Sequence, residues 1–189
     1  QDDLKLLLAY GTVSQLGLLI LLLGTGTRAA ALGGLAMVVA HALFKAALFL
    51  GVGAIDHATG TRDIRRLTRM ARELPVVAGA CALATLSMAG VIPLLGFATK
   101  EFALVALFDG GAGAAGTVAL VAVVAGSVMS VAYCVRLWFG LFGTKPTTGG
   151  PARVYHRAGL LLTALVALLA GVSLLGGLWA GVFGGWLDA

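Results

Sequence analysis

Long apolar runs separated by short polar stretches dominate this chain. Apolar residues fill most of 4–23, 29–55, 117–142 and 158–187, and a further run, 75–109, is interrupted near 93–100. A helix needs roughly 20 mostly apolar residues to cross the hydrocarbon core of a bilayer. The pattern therefore predicts an all-α polytopic membrane protein with about five transmembrane helices, one of them discontinuous.

The polar stretches divide the chain into three parts. Residues 1–143 are predicted to form a membrane domain with the first four helices. Residues 144–157 form a basic loop, and 158–189 add a further transmembrane helix that we expect to pack with a face towards lipid. Uncharged runs of this length typically lie in hydrocarbon.

The interruption in the 75–109 run has two interpretations. Pro93 removes a backbone donor and clashes with the preceding turn, and polar residues follow it, including Lys100 and Glu101. A helix broken at membrane depth is tolerated only where protein or a hydrated cavity surrounds it, and such helices often carry ion sites. Alternatively, 75–95 is a complete span and the two charged residues begin a loop. We favour the broken helix, which would enclose Lys100 beside Glu101 as a coupled pair.

Two titratable residues lie inside the second apolar run. His41 and Lys45 are four residues apart, so on a helix they share one face. A lysine near the middle of a span costs about 2.5–3.5 kcal/mol on insertion scales and usually faces a bundle interior or an ion path. The alternative is a lysine that extends its stem to the interface. Many apolar residues on both sides of Lys45 favour the functional interpretation.

The hydrophilic loop at 56–74 carries five arginines. Ile64, Leu67 and Met70 recur between them at helical spacing, which predicts a short amphipathic helix at the membrane surface. With five spans, this loop, the N-terminus and the 144–157 loop lie on one side and hold most of the basic residues outside the spans. The positive-inside rule places that side in the cytoplasm.

The overall composition excludes several classes of protein. The 189 residues are 60% hydrophobic and 11% charged, with a mean hydropathy of +1.02. The basic residues occupy short loops, so the formal charge of +5 predicts no nucleic-acid partner. Cys81 and Cys134 lack metal-ligand spacing, and no motif indicates a cofactor, a metal or a soluble-enzyme active site. The chain begins at Gln1, which favours a fragment of a longer protein.

Three stretches resemble one family of membrane proteins. The sequence DDLKLLLAYGTVSQ at 2–15 resembles the DLKRLLAYSTVSQ signature of proton-translocating antiporter subunits. HALFKAALFL at 41–50 resembles their HAxFKAxLFL helix, and PLLGFATKE at 93–101 resembles their PLxGFxSKE broken helix. These subunits occur in the membrane arm of respiratory complex I and in Mrp-type multisubunit Na⁺/H⁺ antiporters. IDHATGTRD at 55–63 is similar to a loop of the Mrp A subunit and favours Mrp.

The resemblance implies both an architecture and a proton path. The family fold implies that this chain is most of the second of two inverted repeats, with a following helix. One residue departs from the family, because Met37 stands where a second histidine often precedes the one at His41. The residues that match the family's path are Lys5, His41, Lys45, Lys100 and Glu101.

The function implied is proton movement along a buried lysine and histidine chain, coupled to Na⁺ exchange. A buried lysine exchanges its proton more readily than a solvated one, and histidine titrates near physiological pH. The partners expected are other subunits of a membrane complex, the lipid bilayer, protons and Na⁺, at the plasma membrane. The alternatives are a proton-pumping subunit of NADH:quinone oxidoreductase or of a related hydrogenase complex, which would be part of an enzyme, and a structural subunit without transport.

Overall fold

The computed structural model describes residues 1–110, 114–156 and 158–183. In these ranges the chain is helical, apart from loops and one isolated β-bridge. The helices are α1 Leu4–Gly24, α2 Arg28–Thr59, α3 Met70–Glu73, α4 Pro75–Ala89, α5 Leu95–Gly110, α6 Ala114–Phe142 and α7 Leu160–Phe183.

Four of these helices, α1, α2, α6 and α7, are long and apolar enough to cross a membrane. The predicted all-α polytopic membrane fold is therefore confirmed. Part of the predicted 110–116 connector, Arg157 and the predicted end of the last span lie outside the described residues.

Helix α2 forms the centre of the bundle. It packs against α1, α4, α5 and α7, while α6 packs on the opposite side of α4 and α5 and also touches α1. Buried apolar side chains along α2, such as Phe44, Leu48 and Val52, join the main hydrophobic core. This position encloses one face of α2, which carries Phe44 and Lys45, in protein, while Val38, Val39 and Phe49 on other sides of the helix remain exposed.

Helices α4 and α5 together form the discontinuous span. Each has 15 or 16 residues, too few to cross a bilayer alone. Both helices pack against α2, at two successive positions along its length. Gly51 of α2 packs against Cys81 of α4, and Gly33 of α2 packs against Phe102 of α5. The break lies at residues 90–94, slightly before the predicted 93–100, because Gly90 ends α4 with a positive φ of 87° and α5 starts at Leu95. Lys100 and Glu101 are thus helical, and the alternative that places them in a loop is wrong.

The predicted amphipathic surface helix is wrong. Helix α2 continues to Thr59, and only the four residues of α3 are helical between it and α4. The N-terminus explains this, because Ile64 donates its N–H to Asp2 and Arg62 accepts from Leu4, which replaces helical hydrogen bonds. The side chains of Ile64, Leu67 and Met70 are nevertheless buried. The spacing of these apolar residues therefore indicated contact with the core, not a helix.

The N-terminus and both basic segments meet at one end of the bundle. The loop after α6 binds the segment before α3, since Thr148 donates to the carbonyl of Arg65 and Ala152 to that of Arg66. Within that segment, the Arg65 guanidinium donates to both carboxylate oxygens of Asp63 and lowers the pKa of Asp63 to about 2. The three parts therefore lie at the same end of the bundle, as the number of spans predicted, and the cytoplasmic side of that end stays a prediction.

Helix α7 is more than a lipid-facing helix. One face of α7 packs on α2, α4 and α5, and its residues Val166, Ala170 and Ser173 are fully buried or nearly so. Its other face exposes leucines, including Leu161 and Leu168. Only one side of α7 is therefore exposed, and the contact of that side with lipid stays a prediction.

Gly51 should be intolerant of a side chain. A Cβ at Gly51 would overlap the Cys81 sulfur, whereas a Cβ at Gly53 on the same helix meets nothing within 4 Å. We expect Gly51→Ala to destabilise the fold by about 1–3 kcal/mol, the usual cost of overpacking. Gly53→Ala should be neutral or slightly stabilising, because alanine is the better helix former.

Thermal unfolding of the purified protein in detergent compares the two glycine variants. Cys81→Ala should restore much of the stability of Gly51→Ala, because it removes the sulfur that the new methyl group meets. Equal melting temperatures for the two glycine variants would contradict this packing.

Candidate functional site

Lys45 lies deep in the bundle, near the middle of α2. Its side chain is 5% exposed, and its Nζ donates a hydrogen bond of 2.9 Å to the carbonyl of Leu8 on α1. The Tyr133 ring of α6 lies beneath the ammonium, 5.2 Å from Nζ to the ring centroid. No carboxylate in the described ranges forms an ion pair with Lys45. Its charge is therefore stabilised by a carbonyl dipole and an aromatic face.

A glycine makes this contact possible. A Cβ on Gly11 would lie 2.7 Å from Lys45 Nζ and 3.0 Å from the Tyr133 hydroxyl. The bare backbone of α1 at this point leaves the space that both side chains use. Close approach of helices at small residues is common in membrane bundles.

His41 lies one turn before Lys45 and is half-buried. Its ring contacts Phe44 edge to face, with centroids 5.3 Å apart. Its Nδ1 is buried and has no hydrogen-bond partner among the described residues. A buried ring nitrogen normally has a partner, so this atom is suited to a water molecule or a transferred proton.

Lys100 contacts the end of α4. Its Nζ donates to the carbonyls of Met88 at 2.8 Å and Ala89 at 3.3 Å. The last carbonyls of a helix have no partner within the helix, and they carry the negative end of its dipole. The break thus provides an acceptor site for an ammonium group. Glu101 is exposed and forms no ion pair with Lys100, so the expected Lys100–Glu101 pair is absent from this structure.

A cavity of about 470 Å³ lies between α1, α6 and the break. Lys100 and Tyr133 line it, and so does Gln15. The Tyr133 hydroxyl and the Gln15 amide nitrogen are buried without partners in the described part of the chain. The volume is ample for several water molecules. Other polar residues on its wall are Tyr10, Ser14, Ser127 and Ser130.

The structure separates Lys5 from the other predicted path residues. Lys5 is at the start of α1, 43% exposed, and pairs with Asp56 at 3.3 Å. Arg62 reaches the same carboxylate oxygen at 3.7 Å. Exposed ion pairs of this kind contribute about 0–1 kcal/mol. Lys45 thus lies against Tyr133 beside the cavity, with His41 one turn away on α2, and Lys100 lies on the cavity wall. Lys5 lies apart from them, in an exposed ion pair at the start of α1.

Sequence reasoning missed several participants. Tyr133 was not among the predicted path residues, yet it lines the cavity. The carbonyls of Leu8, Met88 and Ala89 have no sequence signature, because every residue carries one.

Metal binding has no basis among the described residues. No group of three or more His, Cys, Asp or Glu side chains there could hold a metal ion. Cys81 and Cys134 are free and buried.

Comparison with known proteins gives consistent matches. A family profile described as NADH:quinone oxidoreductase/Mrp antiporter, TM, matches residues 1–130. A probable K(+)/H(+) antiporter protein of Rhizobium meliloti (strain 1021) is 40% identical over 179 residues, which cover 91% of this chain and 18% of that protein. The A1 protein of a Na(+)/H(+) antiporter of Staphylococcus aureus (strain Newman) is 31% identical over 201 residues, 96% of this chain and 25% of that protein.

A solved structure shows the same arrangement of helices. The Mrp complex from Dietzia sp. DQ12-45-1b contains a chain that matches with a TM-score of 0.78 and 40% identity, over 93% of this chain and 18% of that one. This chain therefore spans about a fifth to a quarter of the length of these relatives. Since the family profile matches well over half of it, the chain belongs to the NADH:quinone oxidoreductase/Mrp antiporter transmembrane family.

Proposed function

We propose that this chain is a proton-conducting part of a multisubunit cation/H⁺ antiporter. The observation that carries the proposal is the enclosed Lys45, whose contacts Gly11 and Tyr133 also line the cavity that reaches Lys100. A lysine without a carboxylate partner is costly at membrane depth and is typical of ion or proton paths. The names of the relatives support exchange of H⁺ against a monovalent cation, Na⁺ in one and K⁺ in the other.

The proposed path leads from His41 through Lys45 to the cavity and on to Lys100. The free His41 Nδ1 can accept a proton one turn from the Lys45 amine. Water in the cavity, anchored by the Tyr133 hydroxyl, would bridge the gap to Lys100. There a proton arrives at an amine held by the carbonyls of α4.

Met37 supports this route over one that continues along α2. It is fully buried and contacts the Thr99 hydroxyl through its sulfur at 3.5 Å. A thioether carries no proton at physiological pH, so the path has no titratable group one turn before His41. Without a histidine at this position, either water bridges the gap in the proton path or the path takes another route. The position of the cavity favours bridging water on the side of α1 and α6.

Lys5 and Glu101 have peripheral positions in this scheme. Lys5, paired with Asp56, lies where protons would reach the bundle from the cytoplasm. Glu101 is exposed on α5, where a neighbouring protein of the complex could use it. We propose that both residues serve the entry or exit of protons at the ends of the path. The partners proposed are other subunits of a complex in the plasma membrane, with the lipid bilayer around it.

A second candidate is a proton-pumping subunit of a redox-driven complex. The family profile covers NADH:quinone oxidoreductase as well as Mrp antiporters, so the family alone does not separate the two. The named relatives favour the antiporter. Both candidates use the same path of lysines. They differ in the process coupled to proton movement, which is cation exchange in the antiporter and a redox reaction in the pump.

Lys45→Ala should reduce H⁺ transport to below about one tenth of wild type while the complex still assembles, because the mid-membrane proton carrier is lost. Everted membrane vesicles with a pH-sensitive dye measure the rate. Arg28→Ala removes an exposed positive charge at the far end of the same helix and should leave transport unchanged. A wild-type dye response in Lys45→Ala would exclude Lys45 from the path.

Lys100→Ala should abolish transport, and Lys100→Arg should fail to restore it. Arginine stays protonated and cannot release its proton, although it can still donate to the carbonyls of Met88 and Ala89. The same vesicle assay compares the two variants. Full activity with arginine would show that only a fixed positive charge is needed, which is incompatible with proton relay at this residue.

The basic end of the bundle should face the cytoplasm. Thr148 is exposed at this end, and its backbone N–H donates to the carbonyl of Arg65. Thr25 is exposed at the opposite end of the bundle, after α1. With Cys81 and Cys134 replaced, a cysteine at position 25 should react with a membrane-impermeant thiol reagent in intact cells. A cysteine at position 148 should react only after the cytoplasmic face is opened. The reverse labelling pattern would invert the topology.

A further inference from the structure

Two buried serines connect three helices at the break. Ser87 in the last turn of α4 and Ser173 in α7 are both 0% exposed, and their hydroxyl oxygens are 2.9 Å apart. The Ser87 hydroxyl also accepts the N–H of Gly96 at 3.1 Å, in the first turn of α5. Buried hydroxyls in membrane bundles commonly hydrogen-bond across helices. Ser87 therefore links α4 to α5 and to α7 through one side chain.

The contact with Gly96 determines where α5 begins relative to α4. The first N–H groups of a helix lack partners within the helix and are usually satisfied by a capping side chain just before it. Here the acceptor comes from the preceding helix. Gly96 also lies so close to the Ser87 carbonyl that a Cβ would overlap it. The first turn of α5 is thus held directly against the last turn of α4.

Helix α7 encloses the break from the other side. A Cβ on Gly177 would overlap the Pro93 carbonyl oxygen and the backbone of Leu94 and Leu95. Gly177 lies four residues after Ser173, so both are on one face of α7. That face follows the backbone of the break closely and leaves no space for it to shift towards α7.

We propose that α7 positions Lys100. Ser173 holds Ser87, Ser87 holds Gly96, and Lys100 follows Gly96 by one helical turn. This chain of contacts sets the register of α5 that directs the Lys100 ammonium to the last carbonyls of α4. Ser87 and Ser173 are accordingly positioning residues that act through Lys100. The effect on transport rests on the proposed function, whereas the effect on geometry does not.

Cysteine accessibility in the assembled complex tests the geometry without using transport. Lys100→Cys, with both native cysteines replaced, places a thiol on the wall of the cavity, and Ser14→Cys places a reference thiol on the α1 side. Ser173→Ala should change the rate of modification by a small methanethiosulfonate at position 100 by about threefold or more, since loss of the hydroxyl frees the first turn of α5. The rate at position 14 should not change. Thr163→Ala, which removes the hydroxyl nearer the other end of α7, is the matched control and should change neither rate.

Transport with native Lys100 provides the second measurement. Ser173→Ala should slow H⁺ transport by about three- to tenfold with the apparent KM for the cation unchanged, because misplacement of a proton carrier costs rate. Ser173→Thr keeps the hydroxyl and should recover most of the rate. Ser87→Ala removes the same contact from the other side, and the double alanine variant should be no slower than the slower single variant.

The outcomes separate this proposal from the proposed function. Unchanged labelling at position 100 in assembled Ser173→Ala and Ser87→Ala complexes overturns the positioning role. Equal changes at positions 100 and 14 indicate general loosening and also overturn it. A change confined to position 100, together with normal transport in Lys100→Ala, supports positioning by α7 and rejects Lys100 as a proton carrier.

Discussion

The arrangement of this bundle depends on how two lysine ammonium groups are stabilised inside it without a carboxylate partner among the described residues. Lys45 donates to a carbonyl of α1, and Lys100 donates to two carbonyls at the end of α4. A backbone carbonyl is a partial charge, so it stabilises the charged amine less than a carboxylate would. Each lysine is thereby stabilised enough to stay buried while it carries no opposite charge that would hold its proton. The proposed role of these lysines as proton carriers requires such a balance.

Each of these contacts imposes a requirement on the backbone. The Lys45 contact requires α1 to approach α2 closely, which Gly11 permits. The Lys100 contact uses the last carbonyls of α4, which have no N–H partner within the helix because α4 ends inside the protein. Gly90 provides that end through its left-handed conformation. The discontinuity is therefore a source of acceptors as well as an interruption of the span.

Much of the fold was predictable, because membrane helices are recognisable by their length and hydropathy. The broken helix was predictable from Pro93 and the polar residues after it, although its limits shifted to Gly90 and Leu95. The conformation of residues 60–69 was not predictable, because their backbone pairs with the N-terminus. Such a long-range pairing leaves no periodicity in the sequence. The proximity of Lys45, Tyr133 and the cavity was equally hidden, since it depends on how α1, α2 and α6 pack. The helical spacing that predicted a helix around Leu67 is explained by burial of Ile64, Leu67 and Met70 in the core without a helix.

The choice of backbone acceptors has a consequence for how this site tolerates mutation and for how it can be studied. Any side chain at Leu8, Met88 or Ala89 that preserves the helix also preserves the carbonyl that binds the lysine. The acceptor role alone therefore places no requirement on the side chain at these positions, although Leu8 and Met88 also pack in the core. A scan that replaces side chains would identify the lysines and pass over their acceptors. The acceptors become visible only to chemistry that alters the peptide bond itself, such as replacement of an amide by an ester.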